Sequence, residues 1–202
     1  MGRYTGPKSK VSRRFGEPVF GPDKVLERRP NPPGQHGVNK RRKKMSEYGT
    51  QLREKQKVKA IYGMREKQFR LFFKRSKAKE GVTGDVMLAM CECRLDNVAY
   101  RLGLAPTRAG ARQLVSHRHV TVNGHICNIP SAIVRPGDTI SVREKDRNMV
   151  SVVESLKGHK SPVVSWLAWD EAKMQGTLQS VPTREEIPEN AEMQLIVELF
   201  SR

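Results

Sequence analysis

Residues 94–144 carry the pattern that most restricts the fold of this chain. The runs VTV and HIC, both rich in strand-forming residues, lie on either side of Asn123-Gly124. Asn-Gly is the preferred pair for a two-residue type I′ hairpin turn, because both turn residues need a positive φ. A second turn signal, Pro136-Gly137-Asp138, precedes residues that alternate in polarity. We therefore predict a small antiparallel sheet in this stretch.

Apolar residues ahead of the hairpin recur at three- and four-residue intervals, which predicts helices. One helix is predicted from Val86 to Leu102, with Gly103 as its C-terminal stop. A second helix is predicted to begin after Thr107, whose hydroxyl is a suitable N-cap. The stretch is thus predicted to be two helices followed by a small sheet.

Basic side chains recur at helical spacing on both predicted helices. Arg94, Asn97 and Arg101 fall on a stripe apart from the apolar residues, so we expect them side by side on one exposed face. Arg108 and Arg112 lie four residues apart, a spacing at which like charges destabilise an isolated helix by about 0.2–0.5 kcal/mol. Positive charge in the first turn also opposes the helix dipole. A bound phosphate would reverse both penalties.

The net charge of +17 limits the classes of partner. Such a charge opposes compaction unless something anionic neutralises it, and the usual partner is nucleic acid, with an anionic membrane surface as the second candidate. No apolar run approaches the ~18 residues of a membrane span, and no secretory signal is recognisable. We interpret residues 94–144 as a module that binds folded RNA, and we expect a cytoplasmic protein.

Residues 1–45 hold 13 Lys and Arg against three acids, with Gly and Pro at several points and no lasting hydrophobic period. Alone in water such a segment is expected to be extended or disordered, because it cannot bury enough apolar area to offset its ordering entropy. It ends in the basic run Lys40-Arg41-Arg42-Lys43-Lys44. That run is either a solvated tail or localisation signal, or a tail that follows RNA phosphates; the aromatic residues upstream favour the second interpretation.

The rest of the chain suggests a second, discontinuous domain. Residues 46–80 show a loose helical stripe of aromatic side chains, interrupted at Gly63, and we interpret these side chains as packing between helices. Residues 170–202 have seven acids against three bases and end in an apolar run. We expect residues 46–93 and 170–202 to form one helical domain, with residues 94–169 inserted between them. Residues 150–153 and 163–169 look like short strands or packing segments.

Little in the sequence looks catalytic. No Walker-type or dinucleotide Gly-rich loop is present. The three cysteines are odd in number and lack zinc-ligand spacing, so we expect free thiols, no metal and no cofactor. His117 and His119 form the closest histidine pair, and contact with phosphate or base is favoured over a zinc site for them. We predict that the chain is not an enzyme.

Several motifs resemble a known family. RLDNV at 94–98, TRAxARQLV at 107–115 and HVxVNG at 119–124 resemble the RNA-binding domain named after ribosomal protein S four. That domain also occurs in pseudouridine synthases, tyrosyl-tRNA synthetases and a heat-shock ribosome-binding protein. The wider pattern, with RYTGPK near the start, YGxQLREKQK at 48–57 and QLIVELF at 194–200, resembles the bacterial small-subunit ribosomal protein family S four over nearly the whole chain.

This resemblance implies a function. Members of the family bind 16S rRNA directly at a multi-helix junction of the 5′ domain, nucleate small-subunit assembly and contribute to decoding accuracy. Their neighbours are the S five and S three proteins, near the channel through which mRNA enters. Some members carry a zinc site of N-terminal cysteines, which is not expected here because no cysteine precedes Cys91. The alternative is a non-ribosomal RNA-binding factor, or an RNA-modification enzyme, that uses the same module.

The overall expectation is an α+β fold: a helical domain closed by the C-terminal segment, an inserted RNA-binding domain of two helices and a small antiparallel sheet, and an extended basic N-terminal tail. Arginine suits folded RNA, since its planar fork bridges phosphate oxygens. The residues predicted to bind RNA are Arg94, Asn97, Arg101, Thr107, Arg108, Arg112, Gln113, His117, Arg118, His119 and Asn123, flanked by Lys40, Arg41, Arg42, Lys43, Lys44, Lys55, Lys57 and Lys59.

Overall fold

The protein is described by a computed structural model that covers residues 4–39, 45–158 and 164–201, without the side chains of residues 38 and 39. Its described helices and strands confirm the predicted α+β class. The chain divides into two compact units, one formed by the residues up to Gly84 together with those from Glu189 onward, the other by Asp85–Pro188.

The first unit is helical. It contains α1 (Lys8–Phe15), α2 (Lys24–Arg28), α3 (His36–Asn39), α4 (Glu47–Ile61), α5 (Glu66–Lys77), the first two residues of α6 (Thr83–Glu92) and α10 (Met193–Ser201). The hydroxyl of Ser46 accepts a hydrogen bond from the Gly49 N–H and caps α4. Gly63, at φ 59°, allows the chain to leave α4 and enter α5.

The C-terminal helix α10 packs on α4 and α5. The side-chain amide of Gln51 donates to the carboxylate of Glu198 over 3.1 Å. The ring of Phe200 stacks on that of Phe73, with centroids 4.6 Å apart. Gly84 lies so close to α10 that an added Cβ would sit 2.8 Å from the Cβ of Met193, so a larger side chain there would push α10 away.

Residues 4–39 are not simply extended, so the prediction of an extended N-terminal segment is wrong for α1, α2 and α3. Tertiary contacts supply what the isolated segment lacks. Phe15 and Val19 are buried, and the Arg53 guanidinium of α4 donates to the Phe15 carbonyl over 2.6 Å. The carboxylate of Asp23 caps α2 by accepting from two backbone N–H groups. Burial of apolar side chains against α4 offsets the ordering entropy that argued for disorder.

The second unit contains a five-stranded antiparallel sheet in the order β2-β1-β3-β5-β4. The strands are β1 (Val120–Val122), β2 (His125–Ile126), β3 (Thr139–Val142), β4 (Leu167–Asp170) and β5 (Gln175–Leu178). The predicted hairpin turn is confirmed, since Asn123 and Gly124 have φ of 51° and 79°. Val120, Ile140 and Val142 are buried on one face of the sheet.

Two features differ from the sequence expectation in this unit. Residues 150–153 belong to a helix, α9 (Val150–Gly158), rather than to a strand. The sheet also continues past residue 169, because β5 pairs with β3. Leu102 packs closely over Gly176 in β5, where an added Cβ would overlap the Leu102 methyl groups. The sheet is therefore larger than the hairpin signals alone indicated.

The predicted single helix from Val86 to Leu102 is wrong, because it is broken into α6 and α7 (Leu95–Arg101). The break is held by residues far along the chain. The Val134 N–H donates to the Cys93 carbonyl over 2.8 Å, and the Leu95 N–H donates to the Ala132 carbonyl over 2.8 Å. Backbone groups at the break are thus satisfied outside the helix, which lets Arg94 take an extended conformation as the N-cap residue of α7.

Candidate nucleic-acid interface

Arg94 begins the predicted RNA-binding set, but it is fully buried. Its Nε and Nη2 donate to the two carboxylate oxygens of Asp96 over 3.0 and 2.7 Å. The two side chains therefore form a bidentate ion pair within the protein. Since Arg94 has no exposed area, its predicted place on an exposed face is wrong.

Glu92 is a second buried carboxylate in this region, only 1% exposed. Asn97, itself 2% exposed, donates to Glu92 Oε2 over 2.7 Å. Arg101 donates to both carboxylate oxygens, at 2.9 Å each. Asn97 is therefore also wrongly placed on an exposed face, and Arg101 turns its charge towards the protein. Burial of a carboxylate is costly unless charged donors surround it, which explains the arrangement.

The second helix, α8 (Arg108–Ser116), joins the same network. Thr107 is its N-cap as predicted, since its hydroxyl accepts from the Gly110 N–H. Arg108 donates to the Asn97 side-chain oxygen over 2.8 Å and lies 4.6 Å from the centroid of the Tyr100 ring. Arg112 donates to Asp96 over 2.7 Å. The repulsion between Arg108 and Arg112 is therefore offset by the protein itself, without a bound phosphate.

Glu92, Arg94, Asp96, Asn97, Arg101, Arg108 and Arg112 form what we call the α7–α8 network. It joins the end of α6 to α7 and α8 by hydrogen bonds of 2.7–3.1 Å, whose partners are between 2 and 16 positions apart in the sequence. Arg108 and Arg112 remain partly exposed at its edge. The sequence correctly predicted that these basic residues lie close together. In the structure, however, they balance two buried acids, Glu92 and Asp96.

The end of α8 is different. Gln113, His117 and Arg118 are exposed, and we call these three residues the α8 end. Gln113 and His117 lie four apart and share a face. Arg118 follows the helix at φ 67°, a conformation that favours glycine. This conformation ends the helix, since the Arg118 N–H donates to the Val115 carbonyl over 3.0 Å and the His119 N–H donates to the Leu114 carbonyl over 3.1 Å, and it leaves the Arg118 side chain exposed.

His119 and Asn123 have partners within the protein. His119 Nδ1 lies 2.9 Å from a carboxylate oxygen of Asp146, and this hydrogen bond lowers the pKa of Asp146. The Asn123 amide donates to Asp138 over 2.8 Å, while its oxygen accepts from the Thr139 N–H over 2.9 Å. Asn123 therefore holds the hairpin turn against the start of β3, although its side chain is exposed.

The lysines of α4 that were predicted to flank the RNA-binding residues form ion pairs within the protein. Lys55 and Lys57 are 7% and 6% exposed, so their predicted place on an exposed surface is corrected. Lys57 lies 2.9 Å from a Glu54 oxygen. Lys55 and Lys59 lie 2.7 and 3.0 Å from the carboxylate of Glu66. Burial opposes ionisation of Glu66, but the hydrogen bonds from these two lysines outweigh it and lower its pKa to about 2.

Lys40 to Lys44, the basic run predicted to follow phosphates, lie outside the described residues. Several cations that the sequence did not single out are exposed instead. They are Lys67, Arg70, Lys74, Arg75 and Lys77 on α5, and Arg135 and Lys145 in the second unit, with Arg143 and Arg147 partly exposed. On α5 the sequence pattern does indicate exposed cations, because the basic residues alternate with a buried aromatic stripe. At 143–147 the acids Glu144 and Asp146 lie between the basic residues, so the sequence shows no basic run there.

Among the described residues, no group of three or more His, Cys, Asp or Glu side chains is arranged to hold a metal ion. Within the same part of the chain, no helix combines the length and apolarity needed to cross a membrane.

Comparisons with known proteins point in one direction. The sequence matches the family described as "Ribosomal protein S4/S9 N-terminal domain" over residues 3–92 and the "S4 domain" over residues 93–140. It is 55% identical to small ribosomal subunit protein uS4 of Parabacteroides distasonis over 202 residues, which is 100% of both chains. The uS4 proteins of Flavobacterium psychrophilum and Porphyromonas gingivalis are each 54% identical over the same length, again 100% of both chains.

Proposed function

The chain belongs to the family of small ribosomal subunit protein uS4, the S four family predicted from its motifs, and on that premise we propose that it is a structural constituent of the small ribosomal subunit that binds 16S rRNA. We propose further that it binds directly at a multi-helix junction of the 5′ domain and nucleates subunit assembly. Because the family is one of structural ribosomal proteins, the prediction that the chain is not an enzyme is confirmed, and the RNA-modification alternative is set aside.

The observation that carries the RNA proposal is the α8 end. Gln113, His117 and Arg118 present donors to solvent next to the α7–α8 network. Folded RNA is bound mainly through its phosphates, 2′-hydroxyls and shape, and an exposed guanidinium suits phosphate oxygens. The partly exposed Arg108 and Arg112 extend this surface. The buried members Arg94 and Asn97 would then act by holding α7 and α8 in place rather than by touching RNA.

The test is binding of the full chain to a 16S rRNA 5′-domain fragment across a range of salt concentrations. The Gln113→Ala, Arg118→Gly variant removes one cation and one amide from the α8 end. We expect weaker binding and a log–log salt slope lower by roughly 0.7–0.9 for the lost phosphate contact. Lys173→Gln, which removes one exposed charge beside Asp170, is the matched control and should change neither quantity.

Two results would contradict these proposals separately. If the parent chain bound the fragment no better than an unrelated RNA of equal length, direct binding of 16S rRNA would be rejected. If the parent bound specifically and the α8-end variant behaved like Lys173→Gln, the interface would have to lie elsewhere on the protein.

The remaining expectations follow from the family resemblance and are also proposals. We propose that the S five and S three proteins are neighbours of this chain, that mRNA passes nearby, that the chain contributes to decoding accuracy, and that it is cytoplasmic as part of the ribosome. Cross-linking of assembled small subunits, followed by identification of the proteins and RNA joined to this chain, tests the neighbours directly. Products that lacked the S five and S three proteins would reject this part.

A further inference from the structure

A cleft of about 440 Å³ lies on the second unit, and none of the residues of the α7–α8 network line it. Strands β1 and β3 provide its floor, the hairpin provides one side, and the segment that follows β3 provides the other. That segment, Arg143 to Arg147, includes one turn of 3-10 helix at Glu144–Asp146. We call this space the sheet cleft. Its lining residues are Thr121, Gly124, Ile126, Ser141, Val142, Arg143, Glu144, Lys145 and Arg147.

The charge of the lining favours an anion. Arg143, Lys145 and Arg147 contribute three cations, whereas Glu144 is the single acid in the lining. Asp146, the other acid of this segment, faces His119 at 2.9 Å. The buried Nε of Arg147 has no hydrogen-bond partner within residues 4–39, 45–158 and 164–201. A buried guanidinium N–H without an acceptor is costly, and a ligand oxygen would remove that cost.

The floor suits the rest of a nucleotide. Thr121 is paired with Ile126 on one side and with Ser141 on the other, so these three side chains lie in a row on the same face of the sheet. The hydroxyls of Thr121 and Ser141 are 2.7 Å apart and hydrogen-bonded to each other. Ile126 is 50% exposed, an apolar side chain beside a polar floor. Phosphate, sugar and base therefore each have a complementary group in one cleft.

We propose that the sheet cleft binds one unpaired nucleotide of the RNA, as a contact separate from the α8 end. Arg143, Lys145 and Arg147 hold the phosphate, the Thr121 and Ser141 hydroxyls face the ribose, and Ile126 packs on the base. Unpaired nucleotides are the elements of RNA that a protein cleft can enclose, since their bases are accessible. This inference rests on the proposed function, because it takes the same RNA as ligand.

The first test compares two charge-matched double variants of the full chain on the 16S 5′-domain fragment. Lys145→Gln, Arg147→Gln removes two cations of the cleft. Lys157→Gln, Lys173→Gln removes two exposed lysines that do not line it. We expect the cleft variant to bind about tenfold more weakly. Its salt slope should fall by roughly 1.4, at about 0.7 for each lost contact with a single strand.

The second test locates the contact. Cys127 follows the cleft residue Ile126 and is partly exposed, whereas Cys91 and Cys93 are buried. A hydroxyl-radical-generating iron chelate attached to Cys127 should cleave the bound fragment at unpaired nucleotides. The cleft variant should weaken that cleavage, and Arg143→Lys, Arg147→Lys, which keeps both charges, should preserve most of it. Circular dichroism of each variant excludes unfolding as the cause.

The outcomes separate this inference from the proposed function. If the parent chain binds the fragment while the cleft variant matches the lysine control in affinity and slope, the cleft is not an RNA site and the inference is overturned. The same holds if cleavage from Cys127 maps only to paired RNA. If the parent chain does not bind at all, the proposed function fails first. Loss of affinity and slope together with loss of cleavage at unpaired nucleotides supports the sheet cleft.

Discussion

The α7–α8 network and the sheet cleft are both rich in basic side chains, yet they differ in what those charges face. In the network, Arg94 and Arg112 meet Asp96, and Arg101 meets Glu92, at distances of 2.7–2.9 Å. In the cleft, Arg143, Lys145 and Arg147 line an open space, and the buried Nε of Arg147 has no hydrogen-bond partner among the described residues. The comparison shows that the count of arginines on a predicted helix face does not measure the charge offered to a ligand.

The energetic consequences of the two regions also differ. Removal of one partner from a buried ion pair leaves an uncompensated charge and costs about 3–5 kcal/mol. Removal of an exposed cation costs little stability, but it removes a contact that an RNA phosphate could use. We therefore expect substitutions in the network to act on folding and substitutions at the exposed cations to act on binding.

The largest expected effect is that of Asp96→Ala. This change leaves Arg94 buried and removes the acceptor of Arg112, so we expect the free energy of unfolding to fall by about 3–5 kcal/mol. Urea denaturation followed by circular dichroism measures it. Glu171→Ala, at an exposed acid, is the control and should stay within about 0.5 kcal/mol of the parent. A loss below about 1 kcal/mol for Asp96→Ala would show that the network and the sheet cleft do not differ in their contribution to stability.

Arg112→Ala should have the next largest effect on stability. It removes a charged hydrogen bond of 2.7 Å but leaves Asp96 paired with Arg94, so we expect a loss of about 1.5–3 kcal/mol. Lys145→Ala in the sheet cleft is the counterpart and should be within about 0.5 kcal/mol of the parent. Equal unfolding free energies for the two variants would show that the network does not stabilise the fold.

The ion pairs of Lys55 and Lys59 with Glu66 extend the comparison to the first unit. The pKa of Glu66 is lowered from 4.5 to about 2. Its stabilising contribution is therefore complete above pH 4.5 and is lost as the pH falls towards 2. Because Glu66 is 36% exposed, solvent screening limits the contribution to about 1 kcal/mol. Glu66→Gln should flatten the pH dependence of unfolding in this window, and an unchanged profile would contradict it.

Arg118→Gly should have the smallest effect on stability and the opposite sign. At φ 67° glycine is less strained than arginine, so the free energy of unfolding should be unchanged or rise by up to about 1 kcal/mol. RNA affinity should nevertheless fall, because the exposed guanidinium is lost. A variant that is less stable but binds RNA normally would assign Arg118 to the structure rather than to the interface.

The discontinuous domain expected from the sequence is also open to test. We propose that residues 46–84 and the segment from Glu189 onward form one helical domain, whereas residues 85–93 and 170–188, which the sequence expectation also assigned to it, lie in the second unit. In the structure α10 contacts α4 through Gln51 and Glu198, and Phe200 packs on Phe73. Limited proteolysis that released the last 20 residues without unfolding the helical region would contradict the proposal.

Features that depend on neighbours in sequence could be predicted. The Asn123-Gly124 turn follows from the φ that two adjacent residues adopt, and the Thr107 cap follows from a hydroxyl three residues before Gly110. The aromatic stripe of α5 was also correctly assigned to packing, since Phe69 and Phe72 are buried. Family membership followed from motifs spread along the chain. Each of these features depends on short stretches of the amino-acid sequence, so it can be predicted without the tertiary structure.

The availability of charge was decided by the tertiary structure alone. Arg112 meets Asp96 from 16 positions away, and Lys55 meets Glu66 from 11 positions away, so neither pairing is visible in helical spacing. The break between α6 and α7 likewise depends on backbone groups near residue 132. The sequence by itself determined the hairpin turn, the cap of α8, the family and the excess of positive charge. Only the fold decided which cations balance buried carboxylates and which remain for a polyanion, because that depends on distances in space.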